Sequence, residues 1–475
     1  MEKLSFKSCF IFNPNLQSNK KKPTDDERQD AKLLIYYPSC DEILVKRSNM
    51  GIIEGTIQFN HSFNNLNEKH KTTKEFLLTE LNSTFYFAKN FENEYYLVLI
   101  IEKNTKSLKL SENVNHRVSI FKEILNNFYN YFYLFHGTFK DNFFPNGKDI
   151  REDQNSYSDL CTIFSDFITC YFDFIGNFDG NKIYQSPILD GILCSTSTAY
   201  PNLLFSILKI NEKFKEIKAI SLVYRGFLLH NEINIETMSL LYNMFYNNVN
   251  GNDNLNKFRY PNFKEDKNNN LECSPFLKAF IRNNVSFNKN YLIGCDLTNE
   301  KKKVFLPVLN INNEKKIKFM VYILDELMLF LFFDENYEIK ELELFDQIAV
   351  YIEICFKDNI SDLQNMSFEE KMKDMKKEFE FVYYNKSNKS LKLSNMFFVK
   401  NKNELEKSKI HILEKIKELF LSKRIKKSVT KFDGLYLYYF KQFEKNIALI
   451  LKENRSIDEV KVKYLNKLFK AIEYY

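Results

Sequence analysis

The side chains here that could do chemistry are six histidines, eight cysteines and a few adjacent carboxylates, and their spacing argues against most of it. His61, His70, His116, His136, His230 and His411 are scattered. No two stand at i, i+3 or i, i+4 and no HExxH occurs, so no helix face offers a pair of imidazoles to a metal. The thiols are Cys9, Cys40, Cys161, Cys170, Cys194, Cys273, Cys295 and Cys355. They form no CxxC pair and lie mostly in apolar runs, the pattern of free, buried thiols in a reducing compartment. Asp325–Glu326 and Asp334–Glu335 fall at turns, where neighbouring carboxylates are solvated rather than paired for acid–base work. No GxxxxGK[ST] loop is present to cradle a phosphate, and no GxSxG elbow to raise a nucleophile. The residues predict no catalytic group, no cofactor and no metal.

With 475 residues the chain has material for roughly three domains. Hydrophobic residues make up 44% and charged residues 27%, as in ordinary globular proteins. The chain is rich in Asn, Lys, Ile and Phe, with 47 Phe and no Trp, so runs of Lys and Asn carry little weight as functional signals. The net charge of +6 is small for this length and dispersed, which argues against a nucleic-acid partner and leaves room for a peripheral contact with anionic membrane. The N-terminus has no signal-peptide core. No stretch supplies about 18 uncharged apolar residues. The expectation is a cytoplasmic protein whose membrane association is peripheral.

If the chain acts, it acts by binding, and the stretch that offers a binding face is Asp41–Phe63. Stepped at 100° per residue, its apolar residues form two nearly opposite stripes. Ile43, Met50, Ile53 and Ile57 make one; Val45, Ile52, Phe59 and Phe63 make the other. A surface helix needs one apolar face for its own core, so a second face calls for another partner or for burial on both sides. Gly51 and Gly55, one turn apart, edge the second stripe and would admit a neighbouring backbone.

The surrounding elements repeat. Cys9–Asn13 and Lys32–Tyr37 read as strands around a Lys/Asp/Glu-rich loop. The two-faced helix follows, then strands at Thr84–Ala88 and Tyr95–Ile101 and a long amphipathic helix over Arg117–Phe139. Helices are expected at Tyr157–Phe178 and Asn202–Lys218, with Ser186–Pro201 as loop or short strand. The order recurs with strands Ala219–Tyr224 and Phe227–His230, helix Ile235–Val249, strands Lys303–Leu309, Ile317–Leu324 and Leu327–Phe333, and helix Tyr337–Phe356. The Asn/Lys-rich insert Asn247–Asn270 reads as disordered. A third round has strands Phe379–Tyr384 and Leu391–Val399, helix Glu404–Leu421, strands Gly434–Phe440 and Ile447–Leu451, and helix Ile457–Tyr475. Lys423, Arg424, Lys426 and Lys427 read as cations complementing the end of that middle helix, with lipid headgroup binding as the other reading. The predicted class is α/β (α+β), with a mainly antiparallel sheet flanked by helices in each of three domains. Residues 1–140 form the first, 141–218 a helical connecting region, 219–358 the second with its insert at 247–270, 359–377 a linker and 378–475 the third.

Cys9-Phe10-Ile11-Phe12-Asn13-Pro14 followed by Leu33-Leu34-Ile35-Tyr36-Tyr37-Pro38 resembles the opening strands of the Ccz family, vacuolar fusion proteins that pair with Mon. On the opening helix Asn49, Gly51, Glu54, Gln58, Phe59 and Phe63 stand at the family's N-x-G-x-x-E-x-x-x-Q-F-x-x-x-F spacing. Glu94-Tyr95-Tyr96-Leu97-Val98-Leu99 is similar to its central strand, with Tyr96 where a Trp is usual. Leu134-Phe135-His136-Gly137-Thr138-Phe139 is similar to its Leu-Phe-x-Gly-Thr-Phe helix end, and Phe379–Asn385 to the strand that opens its third domain.

The resemblance implies three longin-like domains and a subunit of a heterodimeric guanine nucleotide exchange factor. Its partners would be a Mon-like longin subunit and a late-endosomal or vacuolar Rab GTPase, on endosomal and vacuolar membranes. The interface expected is the opening helix: Val45, Ile52, Phe59 and Phe63, or else the opposite stripe, against the partner, with Arg47, Asn49, Gly51, Glu54, Gly55 and Gln58 around them. The alternative is a non-catalytic longin-domain scaffold or adaptor in vesicle tethering.

Overall fold

A computed structural model describes residues 5–65, 76–102 (except 82 and 93), 114–176, 192–193, 200–246 (except 225–226), 263–265, 271–273, 286–288, 291–295, 306–337 (except 312–314 and 325–326), 343–364, 379–393, five positions between 412 and 420, 425–466 (except 433) and 468. The chain divides into two compact units, Met1–Ile183 and Tyr184–Tyr475.

The first unit is built on β1 (Ser5–Phe12), β2 (Leu33–Tyr37), β3 (Phe76–Glu80), β4 (Thr84–Phe91) and β5 (Tyr95–Glu102), all antiparallel in the order β2-β1-β5-β4-β3. Alternate residues of each strand face opposite sides, so the sheet presents two apolar faces. One carries Phe10, Phe12, Tyr36, Val98 and Ile100 and is covered by α2 (Ile43–Asn65) through Met50, Ile53 and Ile57. α3 (Val114–His136) and α5 (Gln154–Gly176) pack by their aromatic rings. Phe87 of β4 stacks on Phe121 of α3 with centroids 3.9 Å apart, and Phe128 meets Phe167 and Tyr171 of α5 edge to face at 4.9 and 5.2 Å. Tyr171 and Tyr157 donate to the carbonyls of Ile124 and Leu34, both at 2.8 Å, so α5 of the expected connecting region is built into this unit.

Two local breaks follow from residue chemistry. The loop expected between the first two strands holds a helix, α1 (Asp25–Lys32), capped by Thr24 with Glu27 returning to the Thr24 amide. The helix expected to run on to Phe139 stops at Gly137, which takes φ +84°; Thr138 then caps α4 (Phe139–Phe143), and Phe139 is buried. Glu92, in the turn between β4 and β5, accepts from the amides of Phe139 and Lys140 at 2.7 and 2.9 Å and from Tyr129 at 2.7 Å.

Arg151 fastens the segment before α5 to α1 and β2. It donates to the carbonyls of Ala31 and Leu33 at 2.9 and 3.1 Å while forking onto Asp149. Burial alone would raise the Asp149 pKa; the Arg151 guanidinium and backbone amide outweigh it and hold the carboxyl below its usual value. A depressed folded pKa means that the pair's stabilisation is complete above the unfolded aspartate value, about 4, and is lost as pH falls through the folded one. Arg151→Ala should therefore cost about 2 kcal/mol at neutral pH. Its calorimetric unfolding temperature should approach that of the wild type as pH drops below about 4.

The second unit holds two further sheets. The first uses β7 (Ile217–Tyr224), β8 (Phe227–Asn231), β13 (Val308–Ile311), β14 (Lys315–Leu324) and β15 (Leu327–Asp334) in the order β8-β7-β15-β14, with β13 on the free edge of β14. A second run joins that edge: β12 (Tyr291–Cys295), β11 (Ser286–Asn288), β10 (Leu271–Cys273) and β9 (Phe263–Glu265). The other sheet has β16 (Glu380–Asn385), β17 (Ser390–Leu393), β18 (Lys427–Phe432), β19 (Leu435–Gln442) and β20 (Lys445–Leu451) in the order β18-β19-β20-β16-β17. A short parallel strand, β6 (Ile192–Leu193), is added beside β17. Counting strands within each round, all three sheets share the order 2-1-5-4-3. Three longin-like domains follow one another in the chain.

Helices cover these sheets. α6 (Tyr200–Lys213) and α8 (Glu343–Gln364) lie together on the second, Ser206 donating to the Cys355 carbonyl at 2.8 Å. α8 thus extends into the expected linker. α7 (Ile235–Tyr246) follows β8. The third sheet packs Ile412, Ile416, Leu419 and Phe420 on one face. Val460, Tyr464, Leu465 and Leu468 cover the other, carried by a closing helix that opens as α9 (Ile457–Val460), widens over Lys461–Leu465 and continues beyond.

Two further expectations are corrected. Phe263–Glu265 of the insert pairs with Leu271–Cys273 as a strand. Lys427 opens β18 instead of ending a helix. The closing helix is present and widens over Lys461–Leu465 before continuing to Asn466. The rest of the insert, the turns at Arg225–Gly226 and Asp325–Glu326, and Lys423 and Arg424 lie outside the described residues.

Candidate functional site

α2 answers which stripe is the core. Met50, Ile53 and Ile57 are buried, and the opposite side of the helix looks outward. Ile43 is assigned to the core stripe by its spacing yet is exposed, because the helix begins there, beyond the sheet residues that cover Met50. Of the second stripe, Val45 is 40% and Phe59 63% exposed, while Ile52 leans partly on the core. Phe63 lies on the helix, but its side chain is outside the described residues.

Gly51 and Gly55 occupy the middle of the outward face. A Cβ built on either would meet no atom within 4 Å, so packing within the chain gives no reason for glycine there. Each costs the helix about 1 kcal/mol relative to alanine. Leu44, 68% exposed, stands on the same line seven residues before Gly51 and extends the apolar face. Sequence reading missed it, although the seven-residue step from Gly51 would have found it.

The polar residues are placed less uniformly. Asn49 is buried and does not belong to the outward face, which corrects its place in the expected interface. Its amide donates to the Tyr36 hydroxyl at 2.7 Å and accepts from the Tyr86 hydroxyl at 2.9 Å, satisfying two phenols over the sheet. Burial raises the Tyr36 pKa above the usual tyrosine value. Arg47 forks onto Asp30 at 2.8 and 2.6 Å and reaches Asp26 at 2.5 Å. Glu54 is paired with Lys32 at 2.5 Å. Arg47 and Glu54 therefore clamp α1 to α2. Gln58 is on the exposed side.

The site is thus an apolar ridge of Leu44, Val45 and Phe59 around two glycines, flanked by α1 and its acidic first turn Asp25-Asp26-Glu27. It has the form of a docking face. Among the described residues no three His, Cys, Asp or Glu side chains are gathered as for a metal, and no helix is long and apolar enough to cross a membrane.

The family model described as the first longin domain of INTU, CCZ1 and HPS4 matches residues 6–137. The matched segment begins in β1 and ends one residue past α3, so it spans the first sheet, Ser5 apart, and the α2 ridge. Residues 6–137 are thus similar to the first longin domain of those proteins. No curated protein matches the chain.

Proposed function

We propose that this chain is the Ccz-like subunit of a heterodimeric guanine nucleotide exchange factor acting on a late-endosomal or vacuolar Rab GTPase. The observation that carries the reading is the α2 ridge, an apolar face with glycines at its centre on a longin domain of the INTU, CCZ1 and HPS4 kind. A second longin domain, from a Mon-like subunit, would bury it. The paired surface would then receive the GTPase.

Exchange of this type needs no covalent step. A factor that binds the nucleotide-free GTPase more tightly than the loaded one weakens nucleotide binding by the same ratio, by thermodynamic reciprocity. The switch segment gives up its hold on Mg²⁺ and phosphate, and the interface must offer it equivalent bonds elsewhere. In this chain Arg47 and Glu54 are engaged with α1, so the switch-displacing group is expected from the partner subunit.

That engagement is also the observation that favours the second reading, a longin scaffold in vesicle tethering without exchange activity. The test is co-expression with a Mon-like longin subunit, purification of the one-to-one complex, and release of fluorescent GDP from the Rab. Faster release than with the Mon-like subunit alone supports the exchange reading. A stable complex that leaves release unchanged sinks it and supports the scaffold.

A further inference from the structure

Two turns meet at one end of the third sheet. Gln442 pairs with Lys445 across the two-residue turn Phe443–Glu444, and Asn385 faces both Lys445 and Ser390 at the neighbouring turn 386–389. The Lys386 amide donates to the Glu444 carbonyl at 2.9 Å and ties the two tips together. β18 begins at the same end, where Lys427 pairs with Phe440 and the Lys441 amide donates to the Lys426 carbonyl at 2.9 Å. The topology therefore gathers Lys386, Lys389, Lys426, Lys427, Lys441 and Lys445 at one edge, and Glu444 is the one carboxylate of the two turns. By strand alternation Lys441 falls on the sheet face of Tyr439, while Lys427 and Lys445 fall on the face of Phe440 and Ile447. The lysines surround the tip on both sides.

Phe443 stands at its apex, 89% exposed, the highest exposure among the large apolar residues described. Its φ is +52°, at the first central position of a hairpin turn, where glycine is favoured. A bulky residue there bears local strain, and its ring is not repaid by burial in the chain.

We propose that this end of the sheet is a contact for an anionic lipid bilayer, with Phe443 entering the headgroup–acyl boundary and the lysines lying against anionic headgroups. A protein interface has a packed apolar centre, but the residues beside Phe443 are Gln442 and Glu444, and among the described residues no other exposed large apolar side chain lies in the two turns. A single aromatic ringed by lysines is the composition of an interfacial anchor. Lysines on both faces suit a plane met end-on. The inference does not depend on the exchange reading.

The test is flotation of the full chain with phosphatidylcholine vesicles made with and without phosphatidylserine. The wild type should float with the anionic vesicles at low salt, not with the neutral ones, and detach as salt rises. Phe443→Gly relieves the positive φ, so it should unfold no earlier than the wild type and yet partition about tenfold less. Lys386→Ala or Lys427→Ala should each reduce partitioning about fivefold. Equal flotation of Phe443→Gly and wild type would overturn the proposal, as would equal binding to neutral vesicles. Retention on immobilised poly-glutamate without vesicle binding would assign the surface to an acidic protein segment instead, which also overturns it.

Discussion

Phe59→Asp should weaken assembly with the proposed longin partner by about 2–4 kcal/mol, roughly 30- to 1000-fold. The unfolding of the isolated chain should change by no more than about 0.5 kcal/mol. The first figure follows from the place of the ring, 63% exposed on the ridge and one turn from Gly55, where a neighbouring backbone can come close. Buried against a partner, an aspartate there would be an uncompensated charge. The second follows from the same exposure, since solvent already covers most of the position. Pull-down or calorimetric titration reads the first, and thermal unfolding the second. A variant that unfolds early would place Phe59 in the chain's own core and remove the basis for a partner-facing ridge.

Asn49→Ala, ten residues earlier on the same helix, is expected to do the reverse. It leaves the Tyr36 and Tyr86 hydroxyls without the amide that joins them, 2.7 and 2.9 Å away. The Tyr86 hydroxyl loses its partner, and the Tyr36 hydroxyl, which Ser8 and Asp41 also reach, loses one of its own. At about 1–3 kcal/mol for a lost buried partner, a loss of about 2–4 kcal/mol is expected. For a unit of this size that lowers the unfolding temperature by roughly 4–16 °C. Partner binding per folded molecule should be unchanged. Asn49→Leu combined with Tyr36→Phe and Tyr86→Phe removes the polar groups together and should recover most of the loss. If Asn49→Ala weakens assembly without lowering the unfolding temperature, Asn49 belongs to the interface after all.

These two residues show where sequence reading reaches and where it stops. The alternation of Met50, Ile53 and Ile57 with the opposite stripe is set by helix geometry, and it was legible from spacing alone. The role of Asn49 was not, because its partners come from β2 and β4, and their phenols meet only after the sheet forms. The interface motif groups it with Gly51 and Phe59, although burial separates them. The engagement of Arg47 and Glu54 with α1 was not legible for a related reason. Their counter-charges lie on α1, whose polar composition reads as a loop unless the Thr24–Glu27 capping box is given more weight.

Central strands are legible as apolar runs, and their threefold recurrence points to a repeated fold without the strand order. Edge strands are not. β3 went unmarked, and the sequence of β18, Lys-Ser-Val-Thr-Lys-Phe, has the polar, lysine-bearing character by which edges resist unwanted pairing. That character made the basic run look like the end of a helix. Only the register placed Lys426 and Lys427 beside the hairpin tips.

The glycines of α2 have a consequence for the life of the free chain. A helix that forgoes about 2 kcal/mol of intrinsic propensity at two positions opens more readily than its neighbours, and a partner that closes over it restores the protection. A subunit made in excess of its partner would then carry its least secure segment at the surface. Its persistence would depend on how quickly assembly overtakes proteolysis, and the abundance of one chain would follow that of the other.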